Sequence, residues 1–560
     1  MLKKIFSVLL VCSAAVVISS CSGKLRPVTA DLVKAEPQPL EVVGSKVPVT
    51  VSIAFPAKWF NKKAELTVKP VLRYATGESW GPSFLFQGEK VLGNERVVSY
   101  DNGGNQQLVF SFPYKPAMDK SELFLTFEAK VKGKKINLPD LKIADGVIST
   151  EALASALNAS AAIAPDAFQR IIKQAEQANI MFLIQQANLR NSELNSEDIK
   201  TFHKKVAELN SDTKNYRIDN IEVSAYASPD GGVSLNTDLA KSRESNTEKY
   251  MARQLKKAKI DANLDANYTA QDWEGFKELV SKSNLQDKDL ILRVLSMYSD
   301  PQQRETEIKN ISSVYKTLAD EILPQLRRAR LTANYEIIGR SDDEINEAFD
   351  TDPKVLNVEE LLYAATLTND NARKEAIYNK TKERYPNDYR AYNNLGELAY
   401  AAGDIDMAQS FFQKAASLNA NAAEVNANLG LVELAKNHVP AAEAYLGKAT
   451  GASAANEALG NLYIKQGQYQ KAVNAFGNAA TNSAAQAQIL VKDYNKAKST
   501  LESIKNPDAM TDYLMAIVGA RTNNASLVKS AMQRAVMKDP SLAAKAAADR
   551  EFAKYADEIK

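Results

Sequence analysis

Between residues 42 and 148 apolar and polar positions alternate in short runs, at 47–55, 64–74, 83–86, 96–100, 107–112 and 122–131, each rich in Val, Leu, Phe and Thr. A period of two sends alternate side chains to opposite faces of a strand. Turn residues such as Asn102-Gly103-Gly104 and Lys132-Gly133-Lys134 separate the runs, and the pattern predicts a β-sandwich over 42–148 with Phe110, Phe112 and Phe124 in its core. Residues 149–178 lose the alternation, become rich in alanine and predict a linker helix, with Pro165-Asp166 as a start signal. The apolar run Ile180-Met181-Phe182-Leu183-Ile184 reads as a strand, and Ser196 opens a helix whose buried face is Ile199, Phe202, Val206 and Leu209.

Ile221, Val223 and Ala225 then alternate with Glu222, Ser224 and Tyr226 in a second strand, which Ser228-Pro229-Asp230-Gly231-Gly232 stops. A helix follows, with Asn236 or Thr237 as its cap and Leu239, Arg243, Thr247, Tyr250 and Met251 at helical spacing. Segments 270–281, 288–298 and 301–323 are helical in pattern, the last opening on Asp300-Pro301, and 327–337 reads as a strand led by Arg327, Arg328 and Arg330. From residue 358 the chain is alanine-rich and helical throughout.

The residues around the second strand resemble the OmpA-like domain, the module that anchors Gram-negative outer membranes to peptidoglycan. Its pattern is a strand ending in Gly-Tyr-Thr-Asp, a short loop to Asn, and Leu-Ser-x-x-Arg-Ala on a helix. The corresponding letters are Ala225-Tyr226-Ala227-Ser228, Asn236, and Leu239-Ala240-Lys241-Ser242-Arg243-Glu244. The resemblance implies a βαβαβ domain over 179–340 with a helical insertion at 261–326 before its closing strand. It also implies that an aspartate and the helix arginine grip the zwitterionic end of diaminopimelate. Arg243 falls on the arginine position and Ser228 on the aspartate position, with Asp230 two residues on as a substitute charge; Arg243, Asp230, Ser228 and Asn236 are the implied peptidoglycan-binding residues. Ser-Pro-Asp-Gly at this place looks like a divergent subfamily found in lipoproteins and fimbria-associated proteins.

The first twenty residues resemble a bacterial lipoprotein signal: basic Lys3 and Lys4, an apolar stretch too short for a stable membrane span, and the lipobox Ile18-Ser19-Ser20-Cys21. The resemblance implies cleavage before Cys21, acylation of its thiol and amine, and attachment to the outer membrane; the absence of an acidic cluster after Cys21 points to the periplasmic face. Residues 21–41, with Pro27, Pro37 and Pro39, read as a tether. The other cysteine, Cys12, leaves with the signal, so no disulfide or thiolate chemistry is expected. Losing Lys3 and Lys4 from 70 basic against 68 acidic residues leaves a neutral chain, which gives no reason to expect nucleic acid as a partner.

The C-terminal third resembles the tetratricopeptide repeat, a helix pair of 34 residues. Tyr392, Leu395, Gly396, Ala399, Gly403, Ala408, Phe412 and Ala415 fall on its signature positions, Gly430 lies 34 residues after Gly396, and Leu459, Gly460, Tyr463, Gly467, Ala472, Phe476 and Ala479 make a further copy. A solenoid over 358–540 with a capping helix at 541–560 is implied, together with a protein partner in its groove.

Only two histidines occur, His203 and His438, in different domains, and each reads as a surface or turn residue. With no cysteine or histidine pair in the mature chain, Ser-His-Asp, Cys-His and zinc constellations are excluded, and neither enzyme activity, metal nor cofactor is expected. The combined expectation is a non-catalytic outer-membrane lipoprotein that links the membrane, and through it peptidoglycan, to a protein partner. The alternative is an accessory subunit of a fimbrial, secretion or uptake complex that does not bind peptidoglycan.

Overall fold

Strand Lys46–Phe55 buries Val47, Val49, Val51 and Ile53 on one face, and the same parity runs through its neighbours. The computed structural model describes residues 25–285, 287–310 and 312–559; the signal segment with Cys21 lies outside them. A three-stranded sheet of Val33–Glu36, Lys46–Phe55 and Gly104–Pro113 faces a seven-stranded sheet led by Ala64–Tyr74 and Ser121–Val131, which pair antiparallel from Ala64 with Val131 to Tyr74 with Ser121. Both inner faces share one core that includes Val49, Leu66, Phe110, Phe112, Leu123, Leu125 and Phe127. Phe124 is outside that core. Its parity is opposite to that of Leu123 and Leu125, and it is half-buried under the Arg73 guanidinium, 4.6 Å from its ring.

The chain divides into two compact units, Met1–Pro165 with Asp370–Lys560, and Asp166–Asn369. In the first, helix pairs follow the sandwich in sequence: Tyr389–Ala401 with Ile405–Leu418, Ala423–Ala435 with Val439–Leu446, Ala455–Lys465 with Tyr469–Phe476, Asn482–Leu490 with Tyr494–Glu502, and Ala509–Arg521 with Ala525–Lys538. Glycine lets the helices of a pair touch. A Cβ on Gly396 would lie 2.6 Å from the Phe412 ring, and one on Gly460 2.5 Å from Phe476. At the C-terminus Leu542–Ala548 is followed by a separate turn, Arg550–Phe552, rather than one helix over 541–560, because Asp549 is extended and its carboxylate caps the turn. Residues 149–165, expected as the start of a linker helix, are also not helical beyond the single turns Thr150–Leu153 and Ala156–Asn158. Alanine's helix propensity is worth only tenths of a kcal/mol per residue, and contacts with the repeats override it.

The second unit is built on strands β1 (Ile171–Met181), β2 (Tyr216–Tyr226), β3 (Asn263–Thr269) and β4 (Arg328–Ile338), with helices α1 (Glu197–Ser211), α2 (Val233–Ala258) and α3 (Trp273–Lys282). Sheet order is β1-β4-β2-β3; β2 and β3 run parallel and the other pairs antiparallel. Ile199, Phe202 and Val206 of α1 and Tyr250, Met251 and Leu255 of α2 cover Ile180, Ile221, Val223, Ala225, Ala329 and Leu331.

This arrangement corrects several expectations. The first strand begins at Ile171, eight residues earlier than 179; its outer half is exposed and, after Ile171 and Ile172, polar from Lys173 to Gln177 except for Ala175, so it carries no alternating apolar signal. A strand, β3, lies inside the stretch taken as a purely helical insertion, and only Leu264 and Ala266 of it pack against the core. The inserted helices therefore start at Trp273 and share a small core of Trp273, Phe276, Val280, Ile291, Leu295, Leu318 and Leu323. The arginine-led strand sits inside the sheet, between β1 and β2. Helix Val358–Ala364, expected to open the solenoid, belongs to this second unit, where Phe168 stacks on Tyr363 at 4.4 Å.

Candidate functional site

Helix α2 begins at Val233 after Gly232, so Asn236 lies inside its first turns rather than at its cap. The buried stripe of α2 runs Asn236, Ala240, Arg243, Thr247, Tyr250 and Met251, and Arg243 on that stripe is fully buried. Its guanidinium is satisfied by main chain: Nη1 donates to Tyr226 O at 2.7 Å, Nε to Gln186 O at 3.0 Å and Nη2 to Leu183 O at 3.3 Å. The Phe182 ring lies 4.9 Å away. Burial first, and the Arg327 charge second, pull the Arg243 pKa down to about 10 against the opposing pull of Asp230, and the group remains charged at neutral pH.

Ser228, Asp230 and Asn236 gather in one turn. Asn236 Nδ2 donates to Ser228 O at 2.9 Å and to Gly231 O at 2.8 Å, and Ser228 Oγ donates to Asp230 Oδ1 at 2.5 Å. The cation that meets Asp230 is Arg327, whose Nη2 lies 3.1 Å from Asp230 Oδ2 while its Nε donates to Ser228 Oγ at 3.2 Å. Ser228, Asp230 and Asn236 thus share one turn with Arg327, which sequence reasoning left on the closing strand, while Arg243 makes its hydrogen bonds to main-chain carbonyls. Three arginines within four positions at a strand start were the available signal. Next to this pair, Arg328 and Asp272 form a buried ion pair at 2.8 Å, with Asp272 also capping α3 through Gly275 N. Trp273, Phe276, Ile308, Leu318 and Leu323 of the inserted helices close over Pro229 and Asp230, leaving about 10 Å³, room for one water-sized sphere. The charges here are paired and covered, an arrangement suited to holding the loop and the strand ends together.

The two histidines do not form a site. His203 is half-buried, not exposed as its helix position suggests, because its Nε2 meets Tyr250 Oη at 2.9 Å, and burial lowers its pKa. His438 precedes Val439–Leu446 with Nδ1 2.9 Å from Glu433 Oε2. Among the described residues no cluster of His, Cys, Asp and Glu is placed to hold a metal ion.

A second gathering of polar groups lies on the first helices of the C-terminal pairs, where residues 149–165 run as a strap from the later pairs towards the earlier ones. Gln486 Nε2 donates to Thr150 O at 2.6 Å and to Glu151 O at 3.1 Å, and Tyr400 Oη donates to Ala156 O at 2.7 Å. Asn428 holds both main-chain groups of Ala162, accepting from its N–H at 2.6 Å and donating to its O at 2.8 Å; Asn394 does the same for Ala164 at 2.8 and 3.0 Å. Asn393 links the two, donating to Ala162 O at 2.8 Å and to Asn394 Oδ1 at 3.1 Å and accepting from Asn428 at 3.0 Å. Ala154, Ala156, Ala159, Ala162 and Ala164 face inward and are buried, while Leu157 and Ile163 face outward and are about half exposed. Glu151, buried at the start of the strap, accepts from Gly44 N at 2.7 Å, Ser45 N at 2.8 Å and Tyr469 Oη at 2.5 Å, and its charge together with burial raises the Tyr469 pKa. Asn394 and Asn428 each stand two residues before a signature glycine, a repetition in the sequence that could have marked them.

The tetratricopeptide repeat model matches residues 389–421 and 453–486. The C-terminal region carries tetratricopeptide repeats. No curated protein matches the chain. Solved structures similar to the repeats include a tetratricopeptide repeat protein from Parabacteroides merdae, 14% identical, covering 35% of this chain and 85% of that one at a TM-score of 0.29. PilW, described as a widely conserved type IV pilus biogenesis factor, is 20% identical over 30% of this chain and 87% of its own, at 0.26. YrrB, described as a TPR protein with an unusual peptide-binding site, is 21% identical over 29% and 92%, at 0.22.

Proposed function

We propose that the protein is a non-catalytic scaffold of the bacterial outer membrane, anchored through acylated Cys21 and engaging a protein partner through its tetratricopeptide repeats. The observation that carries this reading is the row of amide side chains on the repeats, Asn393, Asn394, Asn428 and Gln486, which hold peptide main chain. Ile18-Ser19-Ser20-Cys21 after an apolar run supports the anchor, and the repeat signatures support the partner. The OmpA-like resemblance adds an envelope context.

Within this reading, peptidoglycan is the less favoured ligand. A zwitterion gripped by Asp230 and Arg243 would have to displace Arg327 from the carboxylate and main-chain carbonyls from the guanidinium, leaving buried groups unpaired at several kcal/mol. That pairing favours the accessory-subunit alternative, in a fimbrial, secretion or uptake complex. Two measurements test the proposal. Cys21→Ser should move the protein from the membrane to the soluble fraction, and membrane association that survives the change would remove the anchor. Full-length protein incubated with purified sacculi should stay in the supernatant. Retention that is lost in Arg243→Ala and Asp230→Ala would restore the peptidoglycan reading.

A further inference from the structure

The strap has the features of a bound peptide. Most of its hydrogen bonds to the repeats go to its own main chain, so they do not depend on its sequence, while after Leu153, which packs on the last helix pairs, its inward positions are filled by alanine. Asn428 and Asn394 each engage the N–H and the C=O of a single residue, which requires an extended backbone at Ala162 and Ala164. Neutral amide bonds of this kind are exchanged for water or for another peptide at little net difference.

We propose that residues 153–164 are a resident, displaceable ligand of the repeat groove, and that the groove accepts in exchange an extended peptide with alanine-sized residues at its inward positions once the strap has left. The inference rests on the reading of the repeats as a partner-binding surface and specifies what that surface takes. Because the strap is tethered, its effective concentration is in the millimolar range, and a free peptide at micromolar concentration is excluded while it is seated. The groove is closed by default, and partner entry and strap exit are one event.

The test uses the full-length protein and a labelled synthetic peptide of sequence 149–165, followed by fluorescence anisotropy. Wild type should take up almost none. Ala162→Arg, which places a long cation where the side chain is 1% exposed, should expel the strap and bind the peptide about a hundredfold more tightly. Adding Asn428→Leu to that variant should abolish the gain. Equal binding by wild type and Ala162→Arg, or no binding by an Ala162→Arg protein with wild-type circular dichroism, would overturn the proposal. Hydrogen exchange on wild type decides the matter independently of any variant. The Ala162 and Ala164 amides should exchange through an opening well below global unfolding, and exchange only on global unfolding would make the strap a permanent part of the fold. The scaffold reading fails separately: peptide uptake by Ala162→Arg with no envelope protein recovered by that variant would keep the site and remove the partner.

Discussion

The Arg243 cluster and the repeat groove both bury polar groups, and in both those groups are met by the chain itself. They differ in the charge of what is buried. Around Arg243 a guanidinium is held by three main-chain carbonyls, Asp230 pairs with Arg327, and the inserted helices cover the loop. From Ala156 to Ala164 the contacts in the groove are neutral amides and one tyrosine hydroxyl, the buried Glu151 carboxylate lying before that stretch, and the strap has its outer face in water, with Ile163 about half exposed. Exposing a paired neutral amide costs little because water replaces the partner, whereas separating buried charges leaves each one uncompensated. On that ground the first arrangement should resist opening, and the second is the one we propose to open.

The largest effect should come from breaking the first. Arg243→Met keeps the length and removes the donors, taking the charge-assisted bonds from the carbonyls of Tyr226, Gln186 and Leu183, of which Leu183 O still accepts from Gln186 N, and should destabilise the second unit by about 3 kcal/mol. Urea unfolding followed by Trp273 fluorescence reports it. A loss below about 1 kcal/mol would mean that the cluster tolerates opening, and the contrast with the groove would fail. Asn428→Leu should cost about 2 kcal/mol, because it strands the Ala162 N–H while Asn393 still serves the Ala162 oxygen. Its signature is faster exchange at Ala162 and Ala164 with the circular dichroism of the helices unchanged.

An effect of similar size concerns pH and lies in the first unit. Burial, with Glu551 and Asp119 nearby, pushes the Asp549 carboxyl up to about 6, against the opposing hydrogen bonds from Glu551 N and Tyr513 Oη. An acid whose folded pKa lies above its unfolded value near 4 contributes stability that is fully present below pH 4 and lost as pH rises through 6. Asp549→Asn should therefore raise the stability of the first unit at pH 7, by on the order of 2 kcal/mol, and leave it almost unchanged at pH 4. Thermal melts at the two pH values measure this, and a gain of equal size at both would show that the charge is not the cause.

The strands and repeats were legible because their signals are local and dense. Val47 to Ile53 alternate without interruption, and Gly396 and Gly460 mark where one helix must meet an aromatic ring of the next. Strand β3 was missed because only Leu264 and Ala266 of it pack against the core, and the start of β1 because its outer half is exposed on both faces and shows no alternation. At the candidate site Ser228, Asp230 and Asn236, close in sequence, share one turn, yet Arg327, nearly a hundred residues later, takes the Asp230 contact that was expected of a ligand.

Sequence by itself determined the repeat architecture, the alternating strands and the stripe that draws Arg243 inward, since each follows from side-chain spacing along one element. Tertiary structure alone decided who meets Asp230, what covers the loop, and that an alanine-rich stretch suited to a helix lies extended against Asn394 and Asn428. The physical reason is that alanine carries little preference of its own beyond tenths of a kcal/mol per residue, whereas buried amides and charges must find partners. Those partners are supplied by whatever the fold brings near, from more than two hundred residues away along the chain.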